Sequence, residues 1–164
     1  MSNLHRIAGE AVAAAVGRGV TVATAESLTA GMVTAMLADT PGASAMLQGG
    51  VVSYSNAVKR DVLRVPQELL DAVGSVDGGV AAAMAEGART ACGADLAVST
   101  TGVAGPNGHD GKPVGTVFIG IATAQGSTSY PYSFAGTRAE IRALACEAAL
   151  ERLQEALASL SYRE

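Results

Sequence analysis

The sequence is poor in the residues on which several classes of protein depend. It has two cysteines, Cys92 and Cys146, and two histidines, His5 and His109, all far apart in the chain. Two cysteines cannot build a disulfide scaffold, and we expect both to be small residues of the core. No Cys-x-x-Cys or His-x-x-His pair is present. The spacing therefore argues against a protein metal site.

Basic charge and long apolar runs are also scarce. The 164 residues include 11 Lys and Arg against 15 Asp and Glu, which gives a net charge of −4, whereas a nucleic-acid-binding surface needs a clustered basic face. No run approaches the roughly 20 apolar residues of a membrane span. The N-terminus lacks the basic-then-apolar order of a signal peptide. We expect a cytoplasmic protein that binds neither nucleic acid nor membrane.

The pattern of apolar residues and turn signals predicts one α/β domain over residues 1–164. Predicted helices cover 4–16, 29–38, 67–73, 77–92 and 137–159, with a short helix around Lys59; predicted strands cover 20–23, 49–54, 96–100, 115–124 and 128–134. Thr137 and Glu140 form a capping-box pattern at the start of the last helix. This order predicts a single layered domain with a mixed β-sheet flanked by helices.

Ser27 follows the first predicted strand, at the start of a predicted helix. A hydroxyl there lies beside unpaired backbone N–H groups, which suit a developing oxyanion. Serine is also a favoured helix cap. Spacing alone leaves both roles open and favours the cap.

Lys59 is one of only two lysines, the other being Lys112, among 11 basic residues. It follows Tyr54 by five residues, in a segment that runs from a strand into a helix. A buried lysine can serve as a general base when its pKa falls towards neutrality, which arginine cannot do. The alternative is a solvated lysine on an exposed helix, and the local pattern favours it.

The glycine-rich segment 101–113 is a third candidate. Its glycines would let backbone amides approach an anion, although an ordinary connection is the alternative. It matches neither nucleotide-binding fingerprint: Pro106 and Pro113 stand where a Walker loop needs Gly and Ser or Thr, and the segment leads into a strand instead of a helix. His109 in this segment could in principle pair with a cysteine as a Cys-His hydrolase.

Several segments together resemble the CinA C-terminal domain family, whose characterised members are nicotinamide-nucleotide amidases (the PncC enzymes). The resemblance covers about residues 4–157. It rests on Ala25-Glu26-Ser27 with Thr29 and Gly31, Pro41-Gly42-Ala43-Ser44, Gly49-Gly50-Val51-Val52-Ser53-Tyr54-Ser55-Asn56 with Lys59, Thr101-Gly102-Val103-Ala104-Gly105-Pro106, Lys112-Pro113-Val114-Gly115-Thr116 and Gly136-Thr137-Arg138.

The resemblance implies a reaction: hydrolysis of the carboxamide of nicotinamide mononucleotide to nicotinic acid mononucleotide and ammonia, in pyridine-nucleotide salvage. It implies Ser27 as the nucleophile, Lys59 as its base and the Tyr54 hydroxyl as the completion of the proton network. No metal or organic cofactor is implied.

The resemblance also implies a substrate-binding set. Backbone amides near Thr29, Ala30 and Gly31 are the expected oxyanion donors. Arg138 and the loop around Gly102, Ala104 and Gly105 are expected to hold the phosphate. These residues complete the predicted site.

The sequence departs from the family pattern Ala-Glu-Ser-Cys-Thr-Gly-Gly at two positions, where Leu28 replaces the Cys and Ala30 the first Gly. Ala30 adds a methyl group close to the expected oxyanion region and so bears on activity and substrate preference. The alternative function is therefore a catalytically silent nucleotide-binding or competence-related partner protein. In either case we expect a homo-oligomer.

Overall fold

The computed structural model describes residues 2–161, which form helices on both sides of one sheet. The helices are α1 (Asn3–Arg18), α2 (Met32–Ala38), α3 (Asn56–Asp61), α4 (Gln67–Val73), α5 (Gly78–Cys92) and α6 (Arg138–Ser159), with a single 3-10 turn at Ala43–Ala45; the strands are β1 (Val22–Glu26), β2 (Leu47–Val52), β3 (Leu96–Gly102), β4 (Thr116–Thr123) and β5 (Gly126–Ser133). No helix within 2–161 is both long and apolar enough to cross a membrane.

The sheet has the strand order β2-β1-β3-β4-β5. β1 pairs in parallel with β2 and with β3, whereas β4 and β5 extend the sheet as an antiparallel hairpin. The predicted α/β fold with a mixed sheet flanked by helices is therefore confirmed. Because β1 and β3 are adjacent and parallel, the segments that follow them leave the sheet at the same edge, and the candidate site is built there.

The two faces of the sheet carry side chains of different size. Large residues such as Val22, Leu96 and Ile119 pack against α1 and α6, whereas Ala23, Ala25 and Ala97 pack on the α5 side. The small side chains let α5 lie close to the sheet. At Gly120 the approach is so close that an added Cβ would lie 2.2 Å from the Ala81 carbonyl oxygen.

The capping box predicted for the last helix is confirmed, since Thr137 and Glu140 form it at the start of α6. At the start of α5 the Asp77 side chain accepts from the Gly79 N–H. The start predicted for the second helix, at Thr29, is wrong, because α2 begins only at Met32.

The first two strands are also displaced from their predictions. β1 runs from 22 to 26 instead of 20 to 23, and β2 runs from 47 to 52 instead of 49 to 54. Both predictions identified the right apolar segment, but the glycines and turns beside each strand left its first and last residues poorly defined by the sequence.

Candidate active site

Ser27 is the first residue after β1, and the end of β3 holds it in place. Its N–H donates to the Thr100 carbonyl oxygen at 3.0 Å, so the chain turns away from the sheet only after this bond. The residue is 9% exposed. A hydroxyl in this position can be reached from outside while its main chain is fixed.

Ser27 does not cap α2, so the interpretation of this serine as a helix cap is wrong. Ala30 has a φ of 49° and Gly31 a φ of 100°; these left-handed conformations keep the helix from starting earlier. The buried Glu26 carboxylate performs the capping, since it accepts the N–H groups of Val33 at 2.8 Å and Thr34 at 3.0 Å. The Ser27 hydroxyl is thus left for another partner.

That partner is Lys59. Ser55 caps α3 through the Val58 N–H, and the helix then directs Lys59 inwards, where it is only 1% exposed. Its Nζ donates to Ser27 Oγ at 3.0 Å. The interpretation of Lys59 as a solvated surface lysine is therefore wrong.

Burial lowers the pKa of Lys59 from 10.5 to about 8. Apart from Ser27 Oγ, its Nζ contacts the main-chain oxygens of Ser53 at 2.6 Å and Tyr54 at 3.3 Å. None of the ion pairs formed among residues 2–161 involves Lys59. A large fraction of the Lys59 amine is therefore uncharged under mildly alkaline conditions.

These three neighbours orient a neutral amine. A deprotonated Lys59 has two N–H bonds and one lone pair, and carbonyl oxygens can only accept. Once the Ser53 and Tyr54 carbonyls take the two N–H bonds, the lone pair faces the Ser27 hydroxyl, which can donate. The arrangement lets Lys59 remove the serine proton without rotating.

Tyr54 contributes to this pair through its main chain only. Its side chain is 57% exposed, and its hydroxyl accepts from Arg138 Nη2 at 2.8 Å. That hydroxyl forms no hydrogen bond with Ser27 or Lys59. A part for the Tyr54 hydroxyl in proton transfer stays a prediction, and it requires the side chain to leave Arg138.

Arg138 joins Tyr54 to the glycine-rich loop, because its Nη1 donates to the Gly105 carbonyl oxygen at 2.5 Å. Gly102 belongs to β3, where an added Cβ would meet Val117 Cγ2 at 2.7 Å, so close packing accounts for that glycine. The Ala104 side chain lies in the core. Among the residues predicted to hold a phosphate, Arg138 alone has a charged side chain, and this side chain lies at the surface.

The nucleophile turn is closed by its own hydrogen bond. The Ala30 N–H donates to the Ser27 carbonyl oxygen at 3.1 Å. The Ala30 N–H is therefore not available to an oxyanion. The N–H groups of Thr29 and Gly31 form no hydrogen bond with any residue of 2–161. Of the three predicted oxyanion donors, these two amides remain available.

Two contributors were not identified from the sequence. Arg142 donates from Nε to the Leu28 carbonyl oxygen at 2.8 Å and from Nη2 to the Thr29 carbonyl oxygen at 3.3 Å. Thr100 Oγ1 lies 2.8 Å from Thr29 Oγ1. Arg142 stands one helical turn after Arg138 on α6, and this i, i+4 spacing was the only signal in the sequence.

The Cys-His alternative is contradicted by the structure. Burial raises the pKa of the Cys146 thiol to about 12 and also raises the pKa of Cys92, so neither thiol favours the thiolate. Cys146 lies in the core as expected, but Cys92 is only partly buried. His109 is exposed, with Nε2 3.2 Å from Asp110 Oδ2.

The remaining polar groups of the 101–113 loop hold it against the segment before α5. Asp110 accepts from the Ser75 N–H at 3.0 Å, and Lys112 Nζ donates to the Val76 carbonyl oxygen at 2.6 Å. Within residues 2–161 no three His, Cys, Asp or Glu side chains cluster as metal ligands.

Comparison with known proteins gives one consistent family. The model of the CinA C-terminal domain matches residues 4–157. The chain is 44% identical over 155 residues to a CinA-like protein of Syntrophotalea carbinolica, covering 94% of this chain and 38% of that protein. It is 48% identical over 147 residues to a CinA-like protein of Anaeromyxobacter dehalogenans, covering 89% and 36%. The chain thus spans little more than a third of the length of these curated relatives.

Solved structures share the fold over their full length. A CinA superfamily protein of Klebsiella pneumoniae has a TM-score of 0.93 at 33% identity, covering 97% of this chain and 100% of that chain. The competence/damage inducible protein CihA of Agrobacterium tumefaciens has a TM-score of 0.91 at 34% identity, covering 97% and 98%. By sequence and by fold, the chain belongs to the CinA C-terminal domain family.

Proposed function

We propose that the chain hydrolyses the carboxamide of nicotinamide mononucleotide, giving nicotinic acid mononucleotide and ammonia. The observation that carries the proposal is the 3.0 Å hydrogen bond between Lys59 Nζ and Ser27 Oγ. A serine and a buried lysine of lowered pKa form a nucleophile and its general base. The resemblance to a family whose characterised members are amidases of this nucleotide supports the choice of substrate.

The reaction proceeds through an acyl-enzyme. Neutral Lys59 takes the Ser27 proton while Oγ attacks the carboxamide carbon, and the negative charge develops on the carboxamide oxygen. Protonated Lys59 returns the proton to the leaving nitrogen, and ammonia departs. A water, deprotonated by the same amine, then attacks the Ser27 ester, which releases the carboxylic acid and restores both residues.

Recognition of the nucleotide is assigned to charged and main-chain groups at the same edge of the sheet. Arg138 is the proposed phosphate ligand, since a guanidinium binds phosphate oxygens through paired donors. The Gly105 main chain lies beside it. A phosphate bound here would compete with Tyr54 for Arg138 and so release the Tyr54 hydroxyl towards the reacting atoms.

The test is to incubate the purified protein with nicotinamide mononucleotide and to measure ammonia and the acid product. Lys59 must be uncharged to act as the base, and its lowered pKa is about 8. We therefore expect kcat/KM to rise with pH through about 8 and then to level off. Added hydroxylamine should divert the acyl-enzyme to a hydroxamate. Absence of product from neutral to alkaline pH would overturn the proposed function.

A Ser27→Ala variant should lose turnover while keeping the fold. The matched control is Ser99→Ala, which also removes a buried hydroxyl, one that donates to the Ala81 carbonyl oxygen on the α5 side of the sheet. Full activity in Ser27→Ala would refute the assignment of the nucleophile.

The second candidate function is a catalytically silent nucleotide-binding or competence-related partner protein. The observation that favours it is Ala30, a non-glycine residue at a φ of 49° beside the expected oxyanion region. It predicts that calorimetry detects nucleotide binding without turnover. A third possibility, a serine amidase for another small carboxamide, predicts no preference for the nucleotide over free nicotinamide.

A further inference from the structure

Arg142 reaches from α6 to the turn that follows the nucleophile. Its guanidinium makes two hydrogen bonds there, from Nε to the Leu28 carbonyl oxygen at 2.8 Å and from Nη2 to the Thr29 carbonyl oxygen at 3.3 Å. The acceptors belong to two successive peptide groups. Arginine suits this position because its planar head carries several N–H donors at fixed angles, whereas lysine presents a single point charge.

Holding a carbonyl also fixes the N–H of the same peptide group. In a trans peptide the N–H points opposite to the C=O, so the bond from Arg142 to the Leu28 oxygen directs the Thr29 N–H away from Arg142. The bond to the Thr29 oxygen fixes the next peptide group, whose Ala30 N–H closes the turn onto the Ser27 oxygen at 3.1 Å. Both peptide planes are therefore set by one side chain.

The Thr29 N–H is unusual among buried donors. Thr29 is fully buried, yet its N–H has no hydrogen-bond acceptor in the part of the chain that the structure describes. Buried backbone donors are nearly always paired, because an unpaired one costs free energy. The Thr29 side chain, in contrast, is bonded to Glu26 Oε1 at 2.6 Å and to Thr100 Oγ1 at 2.8 Å.

We propose that Arg142 is a positioning residue that aims the Thr29 N–H at the oxyanion formed when Ser27 attacks. This inference rests on the proposed acyl-transfer chemistry at Ser27, but it does not depend on which carboxamide is the substrate. An oxyanion donor contributes most when it is already oriented before the charge develops. Arg142 supplies this orientation from the side of the turn away from the donor.

The main variant is Arg142→Lys, which keeps the positive charge but loses the planar guanidinium head with its N–H donors at fixed angles. It is expected to lower kcat by about 10-fold to 100-fold, somewhat less than removal of an oxyanion donor, with little change in KM. The pH at which activity rises should stay near that of the parent, because Lys59 is untouched. In Arg142→Ala, millimolar guanidinium should restore part of kcat.

The matched control is Arg152→Lys, on the same helix. Arg152 is also partly buried, but it donates to the Tyr132 hydroxyl at 2.6 Å and lies over the Tyr130 ring, remote from the nucleophile turn. Its variant should keep the parent kcat. A general effect of disturbing α6 would lower kcat in both variants alike.

A fluorophosphonate probe separates this inference from the identity of the substrate. Ser27 Oγ would form a bond to phosphorus as fluoride leaves, with Lys59 taking the proton, and the phosphoryl oxygen would occupy the oxyanion position. Mass spectrometry of the labelled peptide should show slower labelling of Ser27 in Arg142→Lys than in the parent and in Arg152→Lys.

The outcomes distinguish the two proposals. If the parent is inactive on the nucleotide but is labelled at Ser27, and Arg142→Lys slows the labelling, the proposed substrate fails and the inference stands. If the parent turns over the nucleotide and Arg142→Lys matches it in kcat and labelling rate, the inference is overturned and the function stands. If Ser27 of the parent is not labelled at all, the inference is overturned.

Discussion

Replacement of Lys59 by methionine tests the physical basis of the candidate site directly. Methionine keeps a long unbranched chain in the same buried space, but it has no charge and no N–H donor. The variant should be inactive. Its stability, compared with that of the parent as a function of pH, carries the more informative prediction.

The magnitude follows from the pKa of Lys59, which burial lowers from 10.5 to about 8. Below about pH 8 the amine is protonated in both the folded and the unfolded chain, and the folded state carries the full cost of a buried charge. Between these two values the unfolded chain binds more protons, so stability rises with pH. At about 1.4 kcal/mol per pKa unit, the whole effect is about 3 kcal/mol.

The assay is urea unfolding of parent and Lys59→Met at several pH values, because the difference cancels groups that titrate in both proteins. From about pH 7 to about pH 9, the parent should gain roughly 1 kcal/mol relative to the variant. Lost hydrogen bonds to the Ser53 and Tyr54 carbonyls shift the difference by a constant and leave the slope intact. Lys112→Met separates this effect from that of deleting any lysine.

A difference that stays flat with pH would refute the reasoning. It would mean that Lys59 has the same pKa in the folded and the unfolded chain, and a neutral amine would then be rare near neutral pH. Lys59 could not serve as the general base without a further charge supplied by the substrate.

Two further substitutions test the turn around the nucleophile. Ala30→Gly should raise the free energy of unfolding by up to about 1 kcal/mol, because glycine adopts a φ of 49° without strain. The control is Ala35→Gly, inside α2, which should lower the free energy of unfolding by about 1 kcal/mol. Thermal melts in which both variants shift in the same direction would contradict this reasoning. Glu26→Gln should destabilise the fold by roughly 2 to 3 kcal/mol, since an amide cannot accept all the bonds that the buried carboxylate takes from the first turn of α2. Glu86→Gln, at a partly exposed pair with Arg89, should cost less than about 1 kcal/mol in the same urea titration.

The sequence predicted the fold better than the details of the site. The hairpin, the capping box at Thr137 and the order of helices and strands follow from local patterns, which report apolar periodicity and turn residues. The start of α2 did not follow, because the left-handed conformation of Ala30 is set by the surrounding structure and not by alanine's own preference.

The candidate site depends on contacts between distant residues, which local patterns do not report. Ser27 and Lys59 are 32 residues apart, and spacing alone favoured a helix cap and a solvated lysine; the family resemblance paired them. Arg142 is 114 residues from Leu28, and no local pattern indicates that contact. The Tyr54 hydroxyl, expected beside Lys59, instead meets Arg138, whose position is decided by how α6 packs on the sheet.

The partners that orient Lys59 have a consequence for how this site tolerates mutation. Apart from Ser27, the groups that contact its amine are main-chain oxygens, which every amino acid carries. Drift in the side chains at positions 53 and 54 leaves those two acceptors in place as long as the backbone keeps its path. Mutation of Ser27 or Lys59 therefore destroys the proton-transfer geometry. Most side-chain substitutions around these two residues leave that geometry unchanged.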